Sequence, residues 1–401
     1  MRIIFVLSLF SSCKTSYCFS DNKPADKIVS LLCSEGFENV AVVLDRDEAI
    51  VTYENRIYRW DIRALQEIIR LIAPVLSSKT SLILIPQKRM IPLAAILIPA
   101  GKFNSISQGE ISRESYKQAT KVSLDVEPYW SRVKNIPKAN PSKDKIDIAI
   151  HPQFKIVFVD FGEDYTQTNL APLAQVQLVK GLILNCQWII PIQNDFRKQE
   201  DFPRPGLLTL NQTLRLPINI FTSVTMGYFS RNRFGYDLDI MKYMFNGKLA
   251  LGGNIGHTGY AEYYRRTWYY HHIDLLNYNF SLQYRYAPWD FTMKATYGKY
   301  LYRDYGWRWD IYRRFGEVEI GFFHQQTDLG RLGGFNFRIP LIPRKYYKFK
   351  YVSIKPAKDF PWEYYYNGKY NDGGKRYNTG NRIDEFMPMI NPDYIKNNLF
   401  E

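Results

Sequence analysis

From about residue 146 onward, large apolar and polar side chains take alternate positions. In "NFSLQYRY", Phe280, Leu282, Tyr284 and Tyr286 alternate with Ser281, Gln283 and Arg285. In "FTMKATY", Phe291, Met293, Ala295 and Tyr297 alternate with Thr292, Lys294 and Thr296. "GWRWDIYRRF" sets Trp307, Trp309 and Ile311 against Arg308, Asp310 and Tyr312, and "VEIGFF" sets Val318, Ile320 and Phe322 against Glu319 and Gly321. In "GFNFRIPL", Phe335, Phe337, Ile339 and Leu341 share one face, and Asn336 and Arg338 the other. A period of two is the signature of a strand with one apolar and one polar face. Between "IDIAIHPQFKIVFVDFG" and the last of these segments there are roughly twelve such strands, punctuated by Gly, Asn, Asp and Pro.

The N-terminal part has a different texture. "PADKIVSLLCSEGF" carries helical spacing at Ile28, Leu31 and Leu32, with Gly36 as a stop. "NVAVVLDRDEAIVTYENRIYR" reads as a hairpin turning at "DRDE". "DIRALQEIIRLIAPVL" is amphipathic at Ile62, Leu65, Ile68, Ile69 and Ile72, with Asp61 as its N-cap. "TSLILIPQK" reads as a buried strand. Residues 21–100 therefore form a small α/β unit. Residues 101–145, Ser- and Lys-rich and weakly patterned, read as a linker to a β-domain over 146–343. Residues 344–401 form an aromatic and basic tail, with "RKYYKFKYVSIKPAKDFPWEYYYNGKY" followed by a loop-like remainder. Docking of this tail on its own β-domain is the simpler reading, contact with sugar the other.

Residues 1–20, "MRIIFVLSLFSSCKTSYCFS", have the form of a secretory signal: Arg2, an apolar core from Ile3 to Phe10, then small and polar residues. Cleavage after Ser20 is one reading. A lipid anchor on Cys13, which follows two serines, is the other. Either takes the protein out of the cytoplasm.

Alternation of this kind also describes a soluble β-sandwich. Three features favour an outer-membrane barrel: export, aromatics on the apolar face, and segments as long as the 9–11 residues of a tilted membrane strand. The chain has 31 Tyr, 25 Phe and 8 Trp. No apolar run past the leader reaches the roughly 18–20 residues of a spanning helix. Lys plus Arg exceed Asp plus Glu by 53 to 39, a formal charge of +14. These bases are interleaved with aromatics and not gathered into an arm, so nucleic acid is not the expected partner. Outer-membrane lipid and an anionic polysaccharide or lipopolysaccharide are.

Chemistry is sparse. The four cysteines, Cys13, Cys18, Cys33 and Cys186, match no zinc or redox spacing, and burial of the last two as inert side chains is expected. His271 and His272 are adjacent, so on a strand they face opposite sides and cannot share one site. Asp310 and Glu319 lie on neighbouring strands, but paired acids for glycoside cleavage must stand roughly 5–10 Å apart in a cleft. The arginines around them make salt bridges the simpler reading. No cofactor, metal or catalytic residue is expected.

The runs "RPGLLTLNQTLRLPINIFTSVTMGYFS" (204–230) and "ATYGKYLYRDYGWRWDIYRRFGEVEIGFFHQQTDLGRLGGFNFRIPL" (295–341) resemble the YjbH/GfcD family of exopolysaccharide proteins. The shared pieces are Arg215-Leu216-Pro217, the stretch Arg313 to Phe322, and Phe337 to Leu341. The resemblance implies an outer-membrane barrel with a periplasmic portion, tied to export or assembly of a capsule-like polysaccharide alongside other export proteins, and supplies no catalytic residues. The chain departs from the family in offering room for one barrel, and in ending "NNLFE", far from its last strand.

The expectation is thus a mainly β protein: an antiparallel outer-membrane β-barrel of roughly twelve strands behind a small periplasmic α/β domain. It would assist export or surface assembly of an exopolysaccharide. The alternatives are a structural or carbohydrate-binding surface protein, and a barrel enzyme acting on lipid or glycan. Arg285, Arg308, Asp310, Glu319 and Arg338 are the candidates for the barrel interior and for glycan contact. Trp362 and Tyr365 are candidates for stacking on sugar rings.

Overall fold

The computed structural model describes residues 23–99, 113–158, 164–366, 373–385 and 391–399. The leader, with Cys13, lies outside them.

The N-terminal unit is a mixed sheet with helices on both faces. Its strands are β1 (Glu38–Leu44), β2 (Glu48–Glu54), β3 (Ser81–Lys88), β4 (Ile91–Pro92), β5 (Ala95–Pro99) and β6 (Lys121–Ser123). They run in the order β1-β2-β3-β5-β6, with β4 beside β3. Helix α1 (Pro24–Glu35) ends at Gly36, whose φ of 108° closes the last turn in the left-handed conformation that favours glycine. Helix α2 (Asp61–Ile72) crosses between the parallel strands β2 and β3. Its five periodic apolar residues, Ile62, Leu65, Ile68, Ile69 and Ile72, are all buried. Each contributes up to about 1.5–3 kcal/mol, so a charge at Ile68 would undo the unit. Asp61 is not the N-cap. Trp60 holds that position, and the Asp61 carboxylate accepts a 2.7 Å hydrogen bond from Asn55 Nδ2.

Residues 113–145 are not a linker. Helix α3 (Arg113–Ala119), strand β6 and helix α4 (Glu127–Val133) complete the unit. Val122, Leu124, Val126, Trp130 and Val133 are buried in it. Apolar residues spaced so thinly across three short elements leave no period to read.

The second sheet has fourteen strands in the order β19-β7-β8-β9-β10-β11-β12-β13-β14-β15-β16-β17-β18-β20. Twelve of them form one antiparallel meander, from β7 (Ile146–Val157), β8 (Tyr165–Val179) and β9 (Leu182–Asn194) through β10 (Arg204–Leu216), β11 (Ile220–Phe229) and β12 (Arg233–Met244). It continues through β13 (Leu249–Tyr264), β14 (Thr267–Tyr286), β15 (Phe291–Lys299), β16 (Tyr305–Phe315), β17 (Val318–Thr327) and β18 (Gly330–Pro340). Each pairs with its sequence neighbours.

The sheet also runs past 343, into what the sequence presents as tail. β19 (Val352–Pro356) pairs in parallel with the start of β7, and β20 (Asp359–Tyr366) pairs antiparallel with β18. Prolines at 356 and 361 mask the alternation of Phe360, Trp362 and Tyr364. The two outermost strands of the sheet are thus one stretch of chain, interrupted only by Ala357 and Lys358.

The polarity of this sheet is inverted. On β14, Phe280, Leu282 and Tyr284 are exposed while Asn277 and Asn279 are buried. On β10 and β11, Thr209, Asn211, Thr213, Ser223 and Thr225 are buried and Val224 and Met226 exposed. Trp307, Trp309 and Ile311 on β16 are also exposed. Cys186 belongs to this apolar face and is exposed, not buried, while Cys33 is half-buried in the N-terminal unit.

Candidate functional site: the polar face and the segment that fills it

The buried face of the sheet is a ladder of short polar side chains. Asn185 Nδ2 donates to Thr209 Oγ1 at 3.0 Å, and Asn211 Nδ2 to Thr225 Oγ1 at 2.7 Å. Asn254 Nδ2 donates to Asp237 Oδ1 at 2.9 Å, and Asn279 Nδ2 to Asn254 Oδ1 at 3.2 Å. Small amides and hydroxyls satisfy one another here because buried polar groups left unpaired cost roughly 1–3 kcal/mol each.

The C-terminal segment 373–385 lies on this ladder. At the end of the sheet remote from the N-terminal unit, Gly374 N donates to Asp304 Oδ2 at 2.7 Å and Gln325 Nε2 to Gly373 O at 2.8 Å. Ser230 and Asn378 exchange two hydrogen bonds, Ser230 N to Asn378 O at 3.1 Å and Asn378 N to Ser230 Oγ at 2.7 Å. Tyr377 stacks on Phe229 with ring centroids 5.1 Å apart, and its hydroxyl donates to Asp237 Oδ2 at 2.6 Å. Asn381 accepts from Asn185 at 3.1 Å and from Arg89 of the N-terminal unit at 3.0 Å. Asp384 accepts from Lys294 at 2.8 Å and from Arg382 at 2.6 Å. Burial would raise its carboxyl, but the charges of Arg382 and Lys294 outweigh that and hold it well below the ordinary carboxylate range.

Beyond it, helix α5 (Pro392–Asn398) wedges between the two units. The Tyr394 hydroxyl donates to Gly316 O at 2.9 Å and accepts from Trp60 Nε1 at 2.8 Å. Between segment and sheet, Asp237, Asn254, Asn279, Lys294, Arg382 and Asp384 bound a cavity of about 40 Å³. That is room for water and not for a sugar ring.

The N-terminal unit covers the other end of this face. Arg59 holds Glu317, in the β16–β17 turn, through two hydrogen bonds of 2.6 and 2.7 Å and also donates to Leu341 O. Arg215 donates to Pro92 O, Leu93 O and Leu124 O. Buried Glu38 gathers Arg56, Lys145 and Lys348.

The candidate residues fall into several places. Arg285 pairs with Asp290 and lies 5.6 Å from the Tyr394 ring. Arg308 is bound by Asp310 and, from β20, by Glu363 at 2.7 Å. Glu319 takes Arg314 at 2.6 Å, and Arg338 lies 3.5 Å from Asp359. Salt bridges are the rule, but mostly not to the two acids the sequence singled out. Asp310 stands opposite Phe323, four residues beyond Glu319, so the two acids are about 13 Å apart along the strands. They form no acid–base pair of the glycosidase kind.

Trp362 lies on the apolar face against Phe337, at 5.3 Å. Tyr365 lies on the polar face and accepts from Lys375 at 2.7 Å. The two are therefore not one stacking surface. His271 and His272 are both exposed, and His271 lies 5.9 Å from the Tyr260 ring. Among the described residues no group of three or more His, Cys, Asp or Glu is placed to hold a metal. The residues that sequence reasoning missed are Tyr377, Asn381, Arg382 and Asp384; only their polarity, in a stretch too irregular for an element, marks them.

Fold and site define a mainly β protein whose large sheet turns a polar face inward and fills it with its own C-terminal segment. The chain belongs to the YjbH family, described as "Exopolysaccharide biosynthesis protein YbjH", which matches residues 15–336. The match takes in the N-terminal unit as well as most of the large sheet. No match is found among curated proteins. Among solved structures, the chain is similar to in-vitro folded OmpT, an outer membrane protein of Vibrio cholerae, at 10% identity and a TM-score of 0.28, covering 55% of this chain and 97% of that one. It is also similar to a loop L8 deletion mutant of OmpT, at 9% identity and a TM-score of 0.27, covering 48% and 86%.

Proposed function

We propose that the large sheet is a closed β-barrel in an outer membrane, with the N-terminal unit in the periplasm, and that it assists export or surface assembly of an exopolysaccharide. The single observation that carries the membrane reading is the inverted polarity. A sheet with exposed Phe, Trp and Leu on one face and buried Asn, Thr and Asp on the other fits hydrocarbon outside and a polar interior. Closure would run through 352–366, which reaches both β7 and β18 and so removes the open edge.

In this reading the protein is not a catalyst, and Arg285, Arg308 and Arg338 are interior ion-pair residues. An acidic sugar would have to displace Asp290, Asp310, Glu363 or Asp359 to reach them. The filled interior favours an assembly or anchoring role over a standing pore. The test is deletion of the chain in a cell that makes the polysaccharide, with surface and retained glycan measured separately. Glycan retained or shed in place of normal surface display supports the proposal. Unchanged amount and location would overturn it and leave a structural or carbohydrate-binding surface protein.

A further inference from the structure

Residues 341–358, "LIPRKYYKFKYVSIKPAK", carry six basic side chains and no acid. Residues 341–351 link β18 to β19 at the end of the sheet beside the N-terminal unit. Four of the bases are engaged: Lys345 with Glu35, Lys348 with Glu38, Lys355 with Asp147 and Lys358 with Asp61. Arg344 and Lys350 are exposed, with no carboxylate within ion-pair reach among the described residues. Between and around them Ile342, Tyr347, Phe349, Tyr351 and Ile354 are exposed, Tyr347 at 90%.

On the apolar face next to this loop is an open cleft of about 410 Å³, lined by Ile150, Pro152, Leu170, Leu341, Ile342 and Ile354. It lies where pairing changes hands. Ala357 N makes the last bond to β7, at Ile150 O (2.9 Å), and from Asp359 onward the chain pairs with β18 instead. The seam leaves a gap that no side chain of the sheet fills.

We propose that this seam binds an anionic glycerophospholipid of the leaflet facing the N-terminal unit. One acyl chain lies in the cleft, and the phosphate headgroup meets Arg344 and Lys350. The proposal rests on the membrane-barrel reading above. The occupant is set by two complementarities: an aliphatic cleft on the lipid-facing side, and uncompensated positive charge at the level of the headgroups. Tyr347, Phe349 and Tyr351 supply the amphipathic rings favoured between those zones, and long basic side chains reach from apolar surroundings to phosphate. Attraction to anionic lipid is worth roughly fivefold in affinity for each such base.

The experiment is native mass spectrometry of the full chain folded in detergent, titrated with phosphatidylglycerol and separately with phosphatidylcholine. Heat-modifiable gel migration is recorded on the same samples. Phosphatidylglycerol should be retained in preference. The double variant Arg344→Gln/Lys350→Gln should lose about twenty-five-fold of that preference while still shifting on heating. Ile354→Glu, which places a carboxylate in the cleft, should weaken retention of both lipids. Equal retention of the two lipids, or an unchanged preference in the double variant, in a protein that still shifts on heating, overturns this inference alone. A chain that shows no heat shift at all overturns the barrel and this site with it.

Discussion

Phe322 offers a sharp test of which solvent the apolar face meets. It sits midway along β17, between Ile311 on β16 and Phe335 on β18, and is 66% exposed. Replacing it with Arg has two consequences if the face is in lipid. The phenyl ring loses about two thirds of the ~1.5–3 kcal/mol that full removal from water contributes, or about 1–2 kcal/mol. Arginine at the middle of a barrel wall costs a further ~2–4 kcal/mol. The sum is about 3–6 kcal/mol, a shift of two to four powers of ten in the folding equilibrium, since each factor of ten is about 1.4 kcal/mol. In water the same change at an exposed site moves stability by no more than about 0.5 kcal/mol. The assay is denaturant titration in phospholipid vesicles, with the folded fraction read from heat-modifiable migration. Tyr347→Arg, in the loop between β18 and β19, is the control and should stay within about 1 kcal/mol of the parent, because charge near the interface costs little. A Phe322→Arg protein as stable as its parent would refute the lipid-facing assignment and favour a soluble sandwich.

Three further outcomes follow from the interior and the joint. Arg59→Ala removes the partner of Glu317 and a donor to Leu341 O at a buried site; breaking such a pair costs about 3–5 kcal/mol, read as faster proteolytic release of the N-terminal unit. A Cβ on Gly256 would stand 1.7 Å from the Tyr377 hydroxyl oxygen, so Gly256→Ala should expel that ring and forfeit its bond to Asp237, about 1.5–3 kcal/mol. Gly256→Ala should therefore be nearly silent in a Tyr377→Ala background, and equal effects in both backgrounds would contradict the packing. Asp384 titrates below its unfolded value, so its contribution is present at neutral pH and is lost as pH falls below the ordinary aspartate value of about 3.9. The 373–385 segment should become protease-sensitive in that acid range, and Asp384→Asn should be sensitive already at neutral pH; an acid transition unchanged by Asp384→Asn would contradict the assignment.

The meander was legible because its rule is local. Alternation over ten or so residues names a strand and its two faces without reference to any partner, and the exposed set at Phe280, Leu282 and Tyr284 follows it. Helices α1 and α2 were legible for the same reason, through a stripe of period 3.6 and, for α1, a terminal glycine. Residues 113–145 were not, because their buried side chains are dispersed over three elements of seven, three and seven residues. β19 and β20 were obscured by Pro356 and Pro361, which weigh against a strand in any reading of the chain alone. The sheet nevertheless takes prolines in several strands, at 152, 172, 191, 205 and 340 as well as at 356 and 361, so a proline does not by itself exclude a strand here.

The filling of the polar face illustrates why an interior ion pair is harder to read than a strand. The sequence supports Arg308 facing inward with a carboxylate as its mate; in the structure Arg308 lies on the polar face with Asp310 and Glu363. Choosing the mate requires knowing which strands meet across the sheet's last step. Glu363 reaches Arg308 only because 359–366 closes against β18, and Asp384 reaches Lys294 only because the segment beyond β20 doubles back along the polar face. Neither contact has a sequence period, and their separations, 55 and 90 residues, carry no local signal. What local chemistry does reveal is the demand. A face that carries Arg285, Lys294, Arg308 and Arg338 must collect acids or stay wet, and the chain after residue 358 supplies Asp359, Glu363 and Asp384. Within residues 373–385, Lys375, Arg376 and Arg382 outnumber Asp384 and Glu385, so the segment brings one acid to Lys294 without balancing the face as a whole. Truncation after β20 would cost Lys294 alone its mate, because Asp290, Asp310, Glu363 and Asp359 remain beside Arg285, Arg308 and Arg338, so anionic polysaccharide bound by the truncated chain and not by the intact one should be released by Lys294→Gln.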